Sequence, residues 1–188
     1  MDDIVRQAMA KWPNVPHCYG WLALDARGHW RMLDERAQKL QLPGDKLNNA
    51  ALVGFINRNY QSDERGCWFF QNGPQRVFVN LEAAPYVVKT DPQHGLVLHT
   101  GAPFGTVDQA CMTPEGRLYL HGGGLSAAVD DRDLAGVLGP IEEEKLLAWL
   151  NGGADPLPLT VAGATVALER ADEELIARRF GFMRVPMA

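Results

Sequence analysis

Five times along this chain a short apolar run meets a glycine-bearing turn of one to five residues and resumes as a second apolar run. The pairs are 19–24 with 30–33, 68–71 with 75–80, 86–90 with 96–100, 118–121 with 125–129, and 159–162 with 164–168. Turns this short join antiparallel neighbours, because a parallel pair needs a crossover of about a dozen residues or more. Asn72-Gly73 in the second pair is among the strongest hairpin dipeptides. Helical spacing is confined to brief stretches between the hairpins. The pattern predicts an α+β fold of antiparallel, hairpin-rich sheets, not a parallel βαβ array.

Five short helices are expected. Ile4, Val5, Ala8, Met9 and Trp12 recur at helical spacing over 3–12, and Pro13 stops the run. A second helix is expected over 49–60 with Asn48 as N-cap, placing Leu52, Val53, Ile56 and Tyr60 inward. A third covers 131–138, a fourth 142–150 with acids in its first turn, and a fifth 171–180 with Gly181 as its cap.

Three segments resemble one another. Asp25-Ala26-Arg27-Gly28-His29-Trp30 and Asp63-Glu64-Arg65-Gly66-Cys67-Trp68 share Asp, Arg, Gly and Trp at the same offsets. Thr113-Pro114-Glu115-Gly116-Arg117-Leu118 keeps the glycine and the apolar alternation. An offset of fifty residues pairs Gly66 with Gly116, Trp68 with Leu118, Gly73 with Gly123 and Val79 with Val129. Each copy reads as a turn whose glycine takes positive φ, feeding a strand that buries alternate residues. Repeated hairpin-and-helix motifs follow. Alternation turns Trp68, Phe70, Leu118 and Leu120 inward, and helices 49–60 and 142–150 are the expected cover for Phe69 and Tyr119 on the outer face. Two units are expected, 1–100 and 101–188, sharing one core. At 188 residues a chain buries a core that needs no disulfide or metal staple.

Charge narrows the partners. Residues 1–60 carry eight basic and six acidic side chains, whereas 126–188 carry six and eleven, and the whole is −5. Phosphate binding needs Lys and Arg gathered on one face, so nucleic acid is not an expected partner. The start, Met1-Asp2-Asp3-Ile4, is acidic and lacks the apolar run of a leader, and the uncharged stretch 156–168 is too short to span a bilayer. Cys18, Cys67 and Cys111 are odd in number and far apart, which favours reduced thiols and a cytoplasmic protein without a membrane partner.

The chemistry-bearing residues form no diagnostic catalytic set. His121-Gly122-Gly123-Gly124 matches the oxyanion loop of some esterases, but the G-x-S-x-G nucleophile elbow is missing and Ser126 lacks its closing glycine. A cysteine–histidine dyad from Cys67 or Cys111 with one of five histidines is open, although a buried small hydrophobe is the commoner fate of such a cysteine. His94 and His99 are five apart, and no zinc spacing or phosphate-cradling glycine loop occurs, so neither metal nor cofactor is expected. The most suggestive polar cluster is Gln71, Asn72 and Arg76 at one hairpin end with Glu82 and Tyr86 beyond. Amide, guanidinium and phenol together can orient an anionic or peptide ligand. The plainer reading is an Arg76–Glu82 surface ion pair and a turn asparagine. Trp21, Trp30 and Trp68 read as core anchors.

Arg27-Gly28-His29-Trp30, the helix near 49–60, Arg65-Gly66-Cys67-Trp68, and the run from Val79 to Tyr86 through Glu82, Ala83, Ala84 and Pro85 carry a family resemblance. The chain resembles uncharacterised bacterial proteins of about 190 residues known only as a domain of unknown function. They begin with a D-G-x-W hairpin, continue into a helix, and show a second G-x-aromatic hairpin before V-x-acid-x-A-P. The resemblance covers roughly 20–138. Arg stands here in place of Asp before the first two glycines, and Ala83 where an acid is usual. It implies an α+β fold of repeated hairpin-and-helix motifs and a signalling or interaction role, with no catalytic residue to carry over. The expected function is a non-catalytic binding or regulatory module for a protein or small-molecule ligand, with exposed strand edges that permit a homodimer. The alternative is a small hydrolase or transferase built on a Cys/His site.

Overall fold

The computed structural model describes residues 1–153 and 156–188. The chain forms two compact units, Met1–Pro85 with Gly181–Ala188, and Tyr86–Phe180. The first unit runs α1 (Asp3–Lys11), β1 (Cys18–Leu24), β2 (Trp30–Met32), α2 (Glu35–Leu40), β3 (Asp45–Lys46), α3 (Ala50–Arg58), β4 (Tyr60–Ser62), β5 (Trp68–Asn72) and β6 (Gln75–Leu81). The second runs β7 (Tyr86–Asp91), β8 (Gly95–Leu98), β9 (Gln109–Met112), β10 (Leu118–Gly122), β11 (Leu125–Val129), α4 (Leu134–Leu138), α5 (Glu143–Leu150), β12 (Leu157–Val161), β13 (Ala164–Arg170) and α6 (Glu173–Arg179).

The class is α+β, and all five expected hairpins form. The sheets are mixed, however, where antiparallel ones were expected. Their orders are β3-β2-β1-β6-β5-β4 and β12-β13-β9-β10-β11-β7-β8. The pairs β1–β6, β7–β11 and β9–β13 are parallel. Short turns dictate antiparallel pairing only within a hairpin, and these three pairs join strands far apart in sequence. The expected boundary near residue 100 falls instead at Tyr86, because the β7–β8 hairpin pairs with β11.

The helices are six among the described residues. The unexpected one is α2, six residues started by Asp34, whose carboxylate accepts from the Ala37 N–H at 2.7 Å. It ends on Gln41 in the left-handed region at φ 52°. Asn49, not Asn48, caps α3, its Oδ1 accepting from the Leu52 N–H at 3.0 Å.

The repeat is larger than a hairpin. In each unit a hairpin (β1–β2; β7–β8) is followed by a three-stranded meander (β4–β5–β6; β9–β10–β11). The last meander strand then pairs parallel with the first hairpin strand. The fifty-residue offset holds at the register level, since Asn72 pairs with Gln75 and Gly122 with Leu125. The turns 63–67 and 113–117 agree in detail: the Gly66 N–H donates to Asp63 O at 3.0 Å, and the Gly116 N–H to Thr113 O at 2.9 Å. The better sequence match, 25–30 with 63–68, is a shared turn only. It joins β1 to β2 in one case and β4 to β5 in the other. The identities at Asp25 and Asp63 have a local cause, for each carboxylate accepts from the N–H four residues on, at 2.8 and 2.9 Å.

Both faces of each sheet are covered, but Phe69 and Tyr119 lie under elements other than those expected. In the first unit α3 lies over the face of Trp30 and Phe70, where the Phe55 and Phe70 rings meet edge to face at 5.4 Å. Phe69 is on the opposite face with Cys67, Phe78 and Tyr19, and there the C-terminal segment docks. Met183 N–H donates to Gly66 O at 2.9 Å and Leu81 N–H to Arg184 O at 2.7 Å. In the second unit Leu118, Leu120 and Trp149 of α5 share one core. The Tyr119 face is covered by α6, whose Glu173 accepts from the Tyr119 hydroxyl at 3.1 Å. Burial pushes that phenol up to about 12.

Two features of the second unit yield predictions. Asp130 is buried, with Arg132 Nη2 at 2.6 Å and Lys89 Nζ at 3.8 Å. The Arg132 hydrogen bond outweighs desolvation and holds the carboxyl well below the usual carboxylate range. A lowered folded pKa stabilises above the unfolded value of about 3.9 and is lost as pH falls through the folded one. Asp130→Asn is therefore expected to cost about 2 kcal/mol at neutral pH. In urea titrations the gap to wild type narrows in acid, and a constant gap down to about pH 2 contradicts the assignment. Ala162 sits at φ 49° ahead of Gly163 at φ 78°, a two-residue turn of the type that favours Asn-Gly. Ala162→Asn is expected to raise stability by about 0.5–1 kcal/mol; a lower melting temperature contradicts the strain argument.

Candidate functional site

The register of β1 against β6 slips where the first unit opens a cavity. Cys18 pairs with Val77 and Leu22 with Val79, so four steps on one strand oppose two on the other. Gly20 within this bulge has φ 78°. A bulge breaks strict alternation, and both Trp21 and Leu22 line the cavity. Met32 of β2 continues the floor on one side, with Val77 and Phe70 on the other. Helix α3 forms the roof. Its Leu52, Phe55 and Ile56 recur at the three-to-four spacing that shares a helix face, and only Ile56 is fully buried.

The cavity measures about 310 Å³, within the range of small-molecule sites. At its mouth Trp21 is 40%, Met32 41% and Leu52 37% exposed. Apolar side chains so placed stay in water unless something covers them. Its polar groups are the Cys18 thiol and the Asn72 amide, both at the end nearest the β5–β6 turn, and no charged side chain lines it. Burial pushes the Cys18 thiol up, which keeps it protonated and poorly nucleophilic.

Of the five polar residues expected to cluster, three share a hairpin end. Gln71 and Arg76 face each other across β5 and β6. Gln71 is buried, its amide donating to Gly73 O at 2.9 Å, and the Arg76 guanidinium lies 4.6 Å over the Phe69 ring. Asn72 is one residue further along the strand and lines the cavity on the other face. Glu82 is beyond the far end of β6, accepting from the Ala26 N–H at 3.0 Å. Tyr86 opens β7 in the second unit, where burial raises its phenol pKa. The cavity residues Trp21, Met32, Leu52 and Phe55 are absent from the sequence cluster. Their available signal was Gly20, a lone glycine in a strand pattern, which marks a bulge.

The thiols and histidines take structural places. Cys67 Sγ is 3.5 Å from Met183 Sδ, and burial pushes this thiol up too. Cys111 Sγ is 3.5 Å from Arg179 Nη1. His121 Nδ1 is 2.9 Å from Ser126 Oγ, with its ring stacked on Phe180. In the triple glycine, the Gly123 N–H donates to Asp108 Oδ2 at 3.3 Å, so it does not face an empty oxyanion position. A Cβ at Gly122 would stand 1.9 Å from Thr106 O, which accounts for the glycine by close backbone approach. Among the described residues no group of three or more His, Cys, Asp or Glu side chains is placed to hold a metal ion. Nor is any helix among them long and apolar enough to cross a membrane.

Two mixed sheets, each built from a hairpin closed by a meander, define an α+β fold that is also seen in a solved structure. A DUF1285 family protein from Silicibacter pomeroyi DSS-3 is similar over 94% of this chain and 99% of its own, with TM-score 0.51 and 18% identity. A DUF1285 family protein from Shewanella baltica OS155 is similar over 67% of this chain and 96% of its own, with TM-score 0.44 and 18% identity. No curated protein matches. The chain belongs to the family DUF2944, "Protein of unknown function (DUF2946)", which matches residues 1–187.

Proposed function

We propose that this protein is a non-catalytic binding or regulatory module and that its ligand occupies the apolar cavity beneath α3 in the first unit. The observation that carries this reading is a preformed apolar space of about 310 Å³ with three large apolar side chains exposed at its mouth. Binding is favoured over catalysis at Cys18 or Cys67 by the thiols themselves. Burial raises the Cys18 and Cys67 pKa values, whereas a nucleophilic cysteine needs a lowered one. None of the three cysteines forms a disulfide, which supports a cytoplasmic setting.

The test is a thermal-shift screen against a metabolite library. A ligand that binds only the folded state raises the melting temperature with concentration, by about 2.7 kcal/mol of added stability at one hundred times Kd. The reading expects hits whose effect disappears when Leu52→Arg places a charge at the mouth. Hits that survive Leu52→Arg unchanged contradict it.

A further inference from the structure

We infer that the apolar cavity beneath α3 selects an uncharged planar aromatic molecule carrying one hydrogen-bonding group, oriented with that group toward Asn72. The inference rests on the reading of this cavity as the ligand site. Size comes first. About 310 Å³ stands at the lower end of the range for small-molecule sites. This corresponds to one ring system with a short substituent, not a dinucleotide or a peptide segment.

Charge comes second. The lining has no Lys, Arg, Asp, Glu or His. A carboxylate, phosphate or ammonium placed there gives up its hydration with no counter-charge to replace it. The field of the site therefore matches a neutral occupant. Ring shape comes third. Trp21, Phe55 and Phe70 contribute aromatic surface from strand and helix, and Met32 and Cys18 contribute polarizable sulfur, which favours contact with aromatic rings. Polarity at one end comes last. Asn72 supplies both an N–H donor and a carbonyl acceptor, so a hydroxyl or amide at that end is satisfied whichever role it takes. The bulge at Gly20 is what presents Trp21 to this space. The second unit repeats the topology without an equivalent roof helix between its hairpin and its meander, and Phe104 and Val107 from that connection enter its core instead. A cavity roofed by a helix between hairpin and meander is therefore a feature of the first copy.

The experiment is an NMR titration of the whole protein with benzyl alcohol, cyclohexylmethanol and benzoate, following the Asn72 side-chain amide and the Trp21 indole N–H. Benzyl alcohol is expected to shift both signals and to bind about tenfold more tightly than benzoate, the cost of stripping water from an unpaired charge. It should also bind more tightly than the saturated ring. Asn72→Ala, at the exposed end of β5, is expected to keep the Trp21 shift while weakening benzyl alcohol severalfold. Benzoate binding at these two signals as tightly as benzyl alcohol, or a preference for cyclohexylmethanol, overturns the ligand class while leaving a ligand site in place. No perturbation of either signal by any probe overturns the inference. Metabolite hits that Leu52→Arg does not affect instead overturn the reading beneath it.

Discussion

Trp30→Ala is expected to lower the stability of this protein by about 3–5 kcal/mol, the range for a large aromatic removed from a core. The side chain is 1% exposed. Its ring meets Tyr60 edge to face at 5.0 Å, and its Nε1 donates to Asn57 Oδ1 at 2.8 Å. Alanine leaves a cavity under α3 and strips the Asn57 carbonyl of its donor. Trp68 is half-buried and leans on Tyr60 at 4.8 Å, so Trp68→Ala should cost clearly less. Chemical denaturation of the two variants decides the order. Equal losses contradict the distinction between anchor and flank.

The second large effect separates the two copies of one turn. Gly66 and Gly116 occupy equivalent positions at φ 75° and φ 85°. An alanine in this region costs about 1–2 kcal/mol from backbone sterics alone. At Gly116 a Cβ meets nothing within 4 Å, so Gly116→Ala is expected to cost about that much. At Gly66 the same Cβ would stand 2.4 Å from Gly181 O, with Phe182 Cα at 3.1 Å. Gly66→Ala therefore adds loss of the C-terminal segment from the turn, and a total above about 3 kcal/mol is expected. Limited proteolysis should release residues near 181–188 in Gly66→Ala and not in Gly116→Ala. Identical behaviour of the two variants contradicts the docking of that segment.

The hairpins were legible in the sequence because a turn of one to five residues leaves its flanking strands few alternatives. The α+β class and the fifty-residue offset follow from the same local chemistry. What pairs with what was not legible. The β1–β6, β7–β11 and β9–β13 ladders join segments whose affinity for each other is set by packing, and no local periodicity encodes it. Asp25 and Asp63 show the opposite error, in which a shared turn chemistry gave a closer sequence match than the true structural copy. Helix α2 escaped because six residues ending on a left-handed Gln41 carry too little periodicity.

The candidate site was legible only in part. Gln71, Asn72 and Arg76 are neighbours, as their spacing across one hairpin requires. Alternation then sends Asn72 to the cavity face and the other two away from it. Trp21 read as a core anchor because a tryptophan in a strand is commonly buried, yet the bulge at Gly20 turns it to the mouth. The roof of the cavity depends on where α3 lands, a tertiary outcome.

The central claim is that the space beneath α3 is where the ligand binds. Its most direct test is the melting temperature of wild type and Val77→Phe, each with and without the strongest hit from the metabolite screen. Val77 is half-buried and lines the cavity, so phenylalanine fills part of it with apolar atoms. The account predicts a variant that melts close to wild type in the absence of ligand and no longer responds to the hit. An equal rise in melting temperature for both proteins would place the ligand elsewhere and contradict the account.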